Sequence, residues 1–241
     1  MYRILDVDCT IETLRVLNQR IEERFPDSGL SRVCKEVHLI ARETKERILW
    51  TGKRLTSIWV AVVIVVACTI AGLGYVFETS LPDDNAAKHS FEEIDAAANV
   101  LILSGAFLFW LTSLESRIKR RRLLSSLHDL RSVSHVVDMH QLTKDPSQLL
   151  TTAEGQTQSS PRRSLTAFEL TRYLDYCSEL LSLVAKLAAL YAQTSSDGIV
   201  LQAVNDVEQL TTSLNRMIWQ KIMMLDNDVD ELAKKQPLGP R

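Results

Sequence analysis

The amino-acid sequence predicts an all-α integral membrane protein, with a hairpin of two transmembrane helices and a cytoplasmic helical-bundle or coiled-coil domain. Three observations lead to this prediction. Two long runs carry no charged residue, apolar residues elsewhere recur at helical spacing, and only 8 Gly and 6 Pro interrupt the 241 residues. Because tight turns depend on Gly and Pro, their scarcity favours long helices over a sheet.

The first 54 residues are predicted to form two N-terminal cytoplasmic helices. In the first, apolar residues recur at three- and four-residue steps, the spacing of one helix face: Val7, Ile11, Leu14, Ile21 and Phe25. The residues Pro-Asp-Ser-Gly at 26–29 interrupt this pattern. A second stripe then begins at Leu30 and reaches Ile48. We expect this helix to pass through Gly52 and continue as the first membrane span, to about Phe77.

Residues 55–77 and 96–114 are predicted to be transmembrane helices 1 and 2. They hold 23 and 19 residues without a charge, and a bilayer core needs about 20 apolar residues in a helix. Trp59, Tyr75 and Trp110 lie near the ends of these runs, where aromatic rings suit the membrane interface. A buried helix of a soluble core is the alternative interpretation of the second run.

The charges around the two runs predict their orientation. Residues 78–95, the predicted extracytoplasmic loop, carry six acidic residues and one lysine, and a basic cluster follows the second run: Arg117, Lys119, Arg120, Arg121 and Arg122. The positive-inside rule therefore predicts a multi-pass membrane protein with both termini in the cytoplasm, and we expect a bacterial inner membrane. The basic cluster at the membrane surface could also attract anionic lipid headgroups, which we interpret as a consequence of topology.

The remaining chain is predicted to be a second cytoplasmic region. Residues 115–145 extend the second span as a helix that ends near Leu142, ahead of Asp145-Pro146. Residues 146–163 are rich in Ser, Thr and Gln and are predicted to be a flexible linker. Residues 164–226 are predicted to form a helical hairpin that begins with a capping box at Thr166 and Glu169, and residues 227–241 a tail.

The stretch HVVDMHQLTKDP at 135–146 is the part of the sequence that most resembles a chemical site. Helical register places four residues in one polar line beside an apolar seam: His128, Arg131, His135 and Asp138. Arg131 lies between the two histidines and would repel a cation, and His140 lies well around the helix, so we predict no metal site and no cofactor. We favour a solvated or ion-paired helix face, and the functional hypothesis that remains is a contact or switch surface at this line.

Within the two spans, small and polar residues predict either helix packing or pore lining: Gly72, Asn99, Ser104, Gly105 and Thr112. Small residues spaced by four allow helices to approach closely in lipid. Neither span carries a charge, which argues against a proton relay within the bilayer.

The sequence favours a non-enzymatic function. It contains no Walker A loop, GxGxxG, HExxH or GxSxG pattern, so no catalytic residues are predicted, and the net charge of −2 gives no reason to expect nucleic acid. We expect an oligomeric scaffold or interaction subunit that contacts the lipid bilayer, copies of itself and possible protein partners through its cytoplasmic helices. The alternative is an oligomeric ion channel or membrane-permeabilising effector gated by the cytoplasmic helical domain.

Overall fold

The computed structural model describes residues 4–51, 56–79, 86–144 and 165–235, and every regular element in these ranges is a helix. The all-α prediction is therefore confirmed for the described part of the chain. In chain order the helices are α1 (Val7–Arg24), α2 (Gly29–Thr51), α3 (Thr56–Thr79), α4 (Ala86–Leu142), α5 (Ala167–Thr194) and α6 (Gly198–Lys235).

The chain divides into two compact units. Residues 1–50 and 123–241 form the first, which contains α1, α2, the C-terminal part of α4, α5 and α6. Residues 51–122 form the second, which contains α3 and the N-terminal part of α4. We call the first unit the bundle and the second the apolar hairpin.

Local sequence explains where the helices of the bundle begin. The Asp6 carboxylate caps α1 by accepting a hydrogen bond from the backbone N–H of Asp8 at 2.7 Å. Asp27 adopts a positive φ of 55° in the turn before α2, a conformation that Asp tolerates better than most residues. Thr166 and Glu169 form the predicted capping box of α5, each satisfying a backbone N–H of the other.

The bundle has one apolar core to which all five of its helical segments contribute. The most deeply buried members include Leu14, Ile21, Leu30, Val37, Leu127, Leu130, Leu174, Leu181, Val207 and Ile218. The predicted helical bundle is thus confirmed. Because the apolar stripes cover one another within a single chain, they do not themselves require a second copy.

Polar contacts also connect α2, which precedes the apolar hairpin in sequence, to α4 and α5 of the bundle. The Tyr191 hydroxyl donates to Thr44 Oγ1 at 3.0 Å, and both side chains are buried. Arg47 donates to Ser126 Oγ at 2.5 Å, so that α2 contacts α4. Residues separated by more than 75 positions in sequence therefore belong to one packed unit.

Both helices of the apolar hairpin are long and apolar enough to cross a membrane. Ile58–Tyr75 in α3 has a mean hydropathy of 2.4, and the most apolar 18-residue window of Ile94–Leu142 in α4 has 1.8. Only 6% of each window is buried, so the second run is not buried as the alternative interpretation, a core helix, would require. The hydroxyl oxygens of Thr69 on α3 and Ser104 on α4 are 2.8 Å apart, within hydrogen-bonding distance.

Two predicted boundaries differ from the structure. Helix α4 already begins at Ala86, inside the predicted loop 78–95, and α6 continues to Lys235, beyond the predicted end at 226. Both added segments are rich in Ala, Glu, Asp and Lys, and Ala, Glu and Lys favour helices even in a charged stretch. The predicted linker 146–163 and the predicted helix continuity through Gly52 fall on residues outside the described ranges.

Candidate functional site

The predicted polar line lies on the outer side of α4 in the bundle. His128, Arg131 and His135 are exposed, and Asp138 is half-buried. Among the described residues, His135 has no hydrogen bond or ion pair, so the pairing of His135 with Asp138 that the spacing allowed does not form. Asp138 Oδ1 instead accepts a hydrogen bond from Gln141 Nε2 at 2.5 Å. The four residues therefore do not converge on one point.

Gln141 connects this line to α6. Its side chain is 1% exposed, and its Oε1 accepts a hydrogen bond from Lys221 Nζ at 2.6 Å. Lys221 Nζ also donates to the backbone carbonyl of Gln141 at 3.0 Å. That carbonyl lies in the last turn of α4, where carbonyl groups have no partner within the helix and a cation is favourable. The Asp138–Gln141–Lys221 network thus holds the end of α4 against α6.

The sequence analysis did not identify Gln141 or Lys221 as site residues. One signal was available: Gln141 follows Val137 by four positions, and is therefore a polar residue on the apolar seam of its helix. A polar side chain in such a position is buried only if it finds hydrogen-bonding partners.

His140 lies on the other side of α4, against α2. Its ring packs so closely on Gly29 that a Cβ atom there would overlap it, which explains why glycine suits the first residue of α2. Burial lowers the pKa of His140, and the nearby positive charges of Arg32 and Lys144 lower it further. His140 and His135 therefore lie apart, and the described residues contain no group of three or more His, Cys, Asp or Glu side chains placed to hold a metal ion.

The lowered pKa of His140 predicts a pH dependence of stability. The unfolded chain binds a proton at this histidine with a pKa of about 6.5, above that of the folded chain, so folding disfavours protonation. The free energy of unfolding of the full chain in detergent is therefore expected to fall as the pH is lowered from 7.5 to 5.5, and to fall less in His140→Gln. An identical slope in wild type and His140→Gln would contradict this assignment.

The five candidate residues of the apolar hairpin lie in different environments. Ser104 takes part in the contact with Thr69 on α3. The Thr112 hydroxyl donates to backbone carbonyls of its own helix. Open space surrounds Gly72 and Gly105, where a Cβ atom would meet nothing within 4 Å. Asn99 is exposed.

The residues of the basic cluster at the end of the apolar hairpin also differ in their environments. Lys119 forms an ion pair with Glu115 at 2.9 Å, one turn earlier on α4. Arg117, Arg121 and Arg122 are exposed, and Arg120 is half-buried. Part of this positive charge is therefore offset within the helix, and part faces outward.

The outer side of α6 exposes large apolar side chains that the sequence analysis did not single out as a site. Met217, Trp219, Met223 and Met224 are between 43% and 63% exposed, although Ile218, Ile222 and Leu225 of the same turns are buried. We call these four residues the α6 outer surface. Trp219 also lines a groove of about 530 Å³ between the beginning of α1 and α5, together with Leu5, Thr10 and Leu183.

Comparisons with protein families, curated proteins and solved structures find no match for this chain.

Proposed function

We propose that this protein is a two-span integral membrane protein whose bundle acts as a non-enzymatic interaction module. The observation that carries the proposal is the apolar surface that stays uncovered in each unit. Only 6% of the apolar windows in α3 and α4 is buried, and the α6 outer surface is exposed although the bundle core is closed. Apolar surface of this extent on a folded chain is typical of contact with lipid or with another protein.

The composition of the bundle supports a topology with both termini on one side. Residues 1–50 and 123–241 build one unit, and they flank the hairpin in sequence. Two segments that pack together cannot lie on opposite sides of a membrane, so an even number of crossings between them is required. Two crossings, by α3 and α4, satisfy this requirement. The basic residues beside the hairpin then favour the cytoplasm for the bundle, in a bacterial inner membrane as the proposed setting.

A second copy of the chain is the partner that we propose. Met and Trp are enriched where protein interfaces form, because they provide large contact areas, and both residue types occur on the α6 outer surface. Asn99 is the second observation that favours a second copy of the chain as the partner. Its amide is exposed on the apolar part of α4 and has no hydrogen bond among the described residues, and an amide in lipid is stabilised by hydrogen bonds across helices.

The mass of the assembled protein tests this function. The full chain, reconstituted in lipid nanodiscs, is expected to contain more than one copy per particle. Trp219→Ala combined with Met223→Ala should shift the distribution towards single copies, whereas Met139→Ala, at an exposed methionine of α4, should not. Single copies throughout, for the wild-type chain and at all protein concentrations, would contradict self-association.

An oligomeric channel or membrane-permeabilising effector is the second candidate, and the exposed Asn99 favours it. Copies that meet around Asn99 would place amide groups along a polar path through the membrane. Vesicles containing the wild-type chain should then pass ions, and Asn99→Ala should reduce the flux. No flux from vesicles that contain assembled protein would leave the interaction module as the function.

A further inference from the structure

One face of α4 in the apolar hairpin changes from apolar to basic along its length. At steps of four, three, four, three and four residues, this face presents Leu103, Phe107, Trp110, Leu114, Arg117 and Arg121. Leu114 is half-buried, and the other five side chains are exposed. We call these six residues the α4 stripe.

The α4 stripe lies beside the contact with α3. Ser104, which approaches Thr69 of α3, precedes Trp110 by six residues and therefore lies about 120° around the helix from it. Phe107 is nearer to this contact, because it follows Ser104 by three residues and lies about 60° from it around the helix. Since five of its six side chains are exposed, lipid around the apolar hairpin would contact the α4 stripe.

The two aromatic residues of the α4 stripe contact each other. The rings of Phe107 and Trp110 stack, with centroids 5.7 Å apart and an angle of 21° between their planes. Amphipathic aromatic rings of this kind suit the boundary between hydrocarbon and headgroups.

The basic part has guanidinium groups with no partner inside the described chain. Lys119 is engaged by Glu115, but Arg117 and Arg121 are exposed and form no hydrogen bond or ion pair with the described residues. They are four positions apart, on one side of the helix, so both can reach the same anion. Guanidinium groups bind phosphate oxygens through two parallel hydrogen bonds.

The spacing between the two parts fits the membrane interface. Arg117 and Arg121 follow Trp110 by about 10 and 16 Å along the helix axis. The polar layer of one leaflet is about 5–8 Å thick, and arginine side chains can bend towards it while their stems cover apolar surface. With Trp110 at the hydrocarbon boundary, Arg117 can therefore reach the phosphate level, and Arg121 lies one turn further out, above the same headgroup.

We propose that the α4 stripe binds an anionic phospholipid. Arg117 binds its headgroup phosphate, Arg121 adds positive charge above the headgroup, and Phe107 and Trp110 contact the glycerol and the upper part of an acyl chain. This proposal rests on the proposed function, because α4 must cross the membrane. A lipid fits better than free phosphate because the apolar and basic parts form one continuous face.

Lipid binding by the full chain tests the proposal. Phosphatidylglycerol and phosphatidylcholine are titrated separately onto the protein in mild detergent, and bound lipids are counted by native mass spectrometry. Wild type should prefer phosphatidylglycerol. Each arginine near an anionic surface contributes about fivefold in affinity, so Arg117→Gln with Arg121→Gln should weaken phosphatidylglycerol binding about 30-fold. Phosphatidylcholine binding should weaken much less, because the choline ammonium group offsets the charge of the phosphate in that lipid.

Three controls separate the possible explanations. Arg117→Lys with Arg121→Lys keeps the charge and should retain most of the preference. Arg131→Gln, at an exposed arginine of α4 in the bundle, should behave as wild type. Inorganic phosphate at millimolar concentration should not displace phosphatidylglycerol, and displacement would identify a free-phosphate site instead.

Equal binding of the two lipids by wild type, or unchanged phosphatidylglycerol binding by the double glutamine variant, would overturn the proposal. Extraction of cell membranes at alkaline pH shows whether only the lipid-binding proposal fails or the two-span function fails as well. If the wild-type chain stays in the membrane pellet, a missing lipid preference overturns the α4 stripe alone. If the chain is released, the two-span function is wrong as well.

Discussion

Replacing Leu181 by alanine is expected to lower the free energy of unfolding of the bundle by about 2–5 kcal/mol. Leu181 lies on α5 and is 0% exposed, in the core to which all five helical segments of the bundle contribute. Its removal leaves a cavity that close-packed neighbours fill only in part. Because Leu181 is buried within one chain, its truncation is expected to destabilise each chain and not only a contact between copies.

The loss of stability in Leu181→Ala can be measured through the two buried thiols of the bundle. Burial raises the pKa of Cys34 to about 12 and that of Cys177 to about 12, so both thiols are protected from alkylation while the bundle is folded. After the exposed Cys9 and Cys68 are changed to serine, labelling of the full chain in detergent at increasing urea concentrations reports the opening of the bundle. Leu181→Ala should shift the labelling midpoint to lower urea.

Met139→Ala is the matched control for the core substitution. Met139 is 67% exposed on α4, so its truncation should change the free energy of unfolding by less than about 0.5 kcal/mol. If Leu181→Ala instead kept the wild-type midpoint and separated oligomers into single copies, Leu181 would lie between copies and the described core would be wrong.

The helices and most of the core could be predicted because apolar spacing is a local property. Leu14, Leu130 and Leu174 belong to stripes of three- and four-residue steps, and each is buried. On α6 the same spacing also predicts the core positions Val200, Val207 and Leu214, which are buried, but the next apolar residue at this spacing, Met217, is exposed. Thr211 lies in the core instead, with its hydroxyl bonded to the Val207 carbonyl. Hydropathy alone selects an apolar Met over a Thr, although a satisfied hydroxyl can be buried.

The candidate site could be predicted only in part because its contacts connect distant positions. His135 and Asp138 lie one turn apart in sequence, and this spacing suggested a pair. Asp138 binds Gln141 instead, and Gln141 binds Lys221, 80 positions further along the chain. No local pattern specifies which part of α6 will lie beside the end of α4, since that depends on how all five segments pack. The network therefore forms only when these segments of the bundle have packed together.

Replacing Lys221 by methionine is expected to lower the free energy of unfolding by about 2–3 kcal/mol, the second large effect, because the change leaves buried acceptors without a donor. Lys221 Nζ donates to Gln141 at both Oε1 and the backbone carbonyl, and the Gln141 side chain is 1% exposed. Lys221 is half-buried, so water reaches the vacated position only in part and does not fully replace the ammonium group. The same thiol-labelling titration measures the loss.

A second substitution, at Gln141, distinguishes the effect of the lost hydrogen bonds from the effect of the lost charge. In Gln141→Leu with Lys221→Met, the unsatisfied side-chain acceptor is removed together with its donor, so the double variant should be more stable than Lys221→Met alone. Lys186→Met serves as the control, since Lys186 is exposed and its ammonium group contacts only a carbonyl of its own helix at 3.3 Å among the described residues. A loss in Lys186→Met as large as in Lys221→Met would show that net charge, and not the contact between α4 and α6, determines the effect.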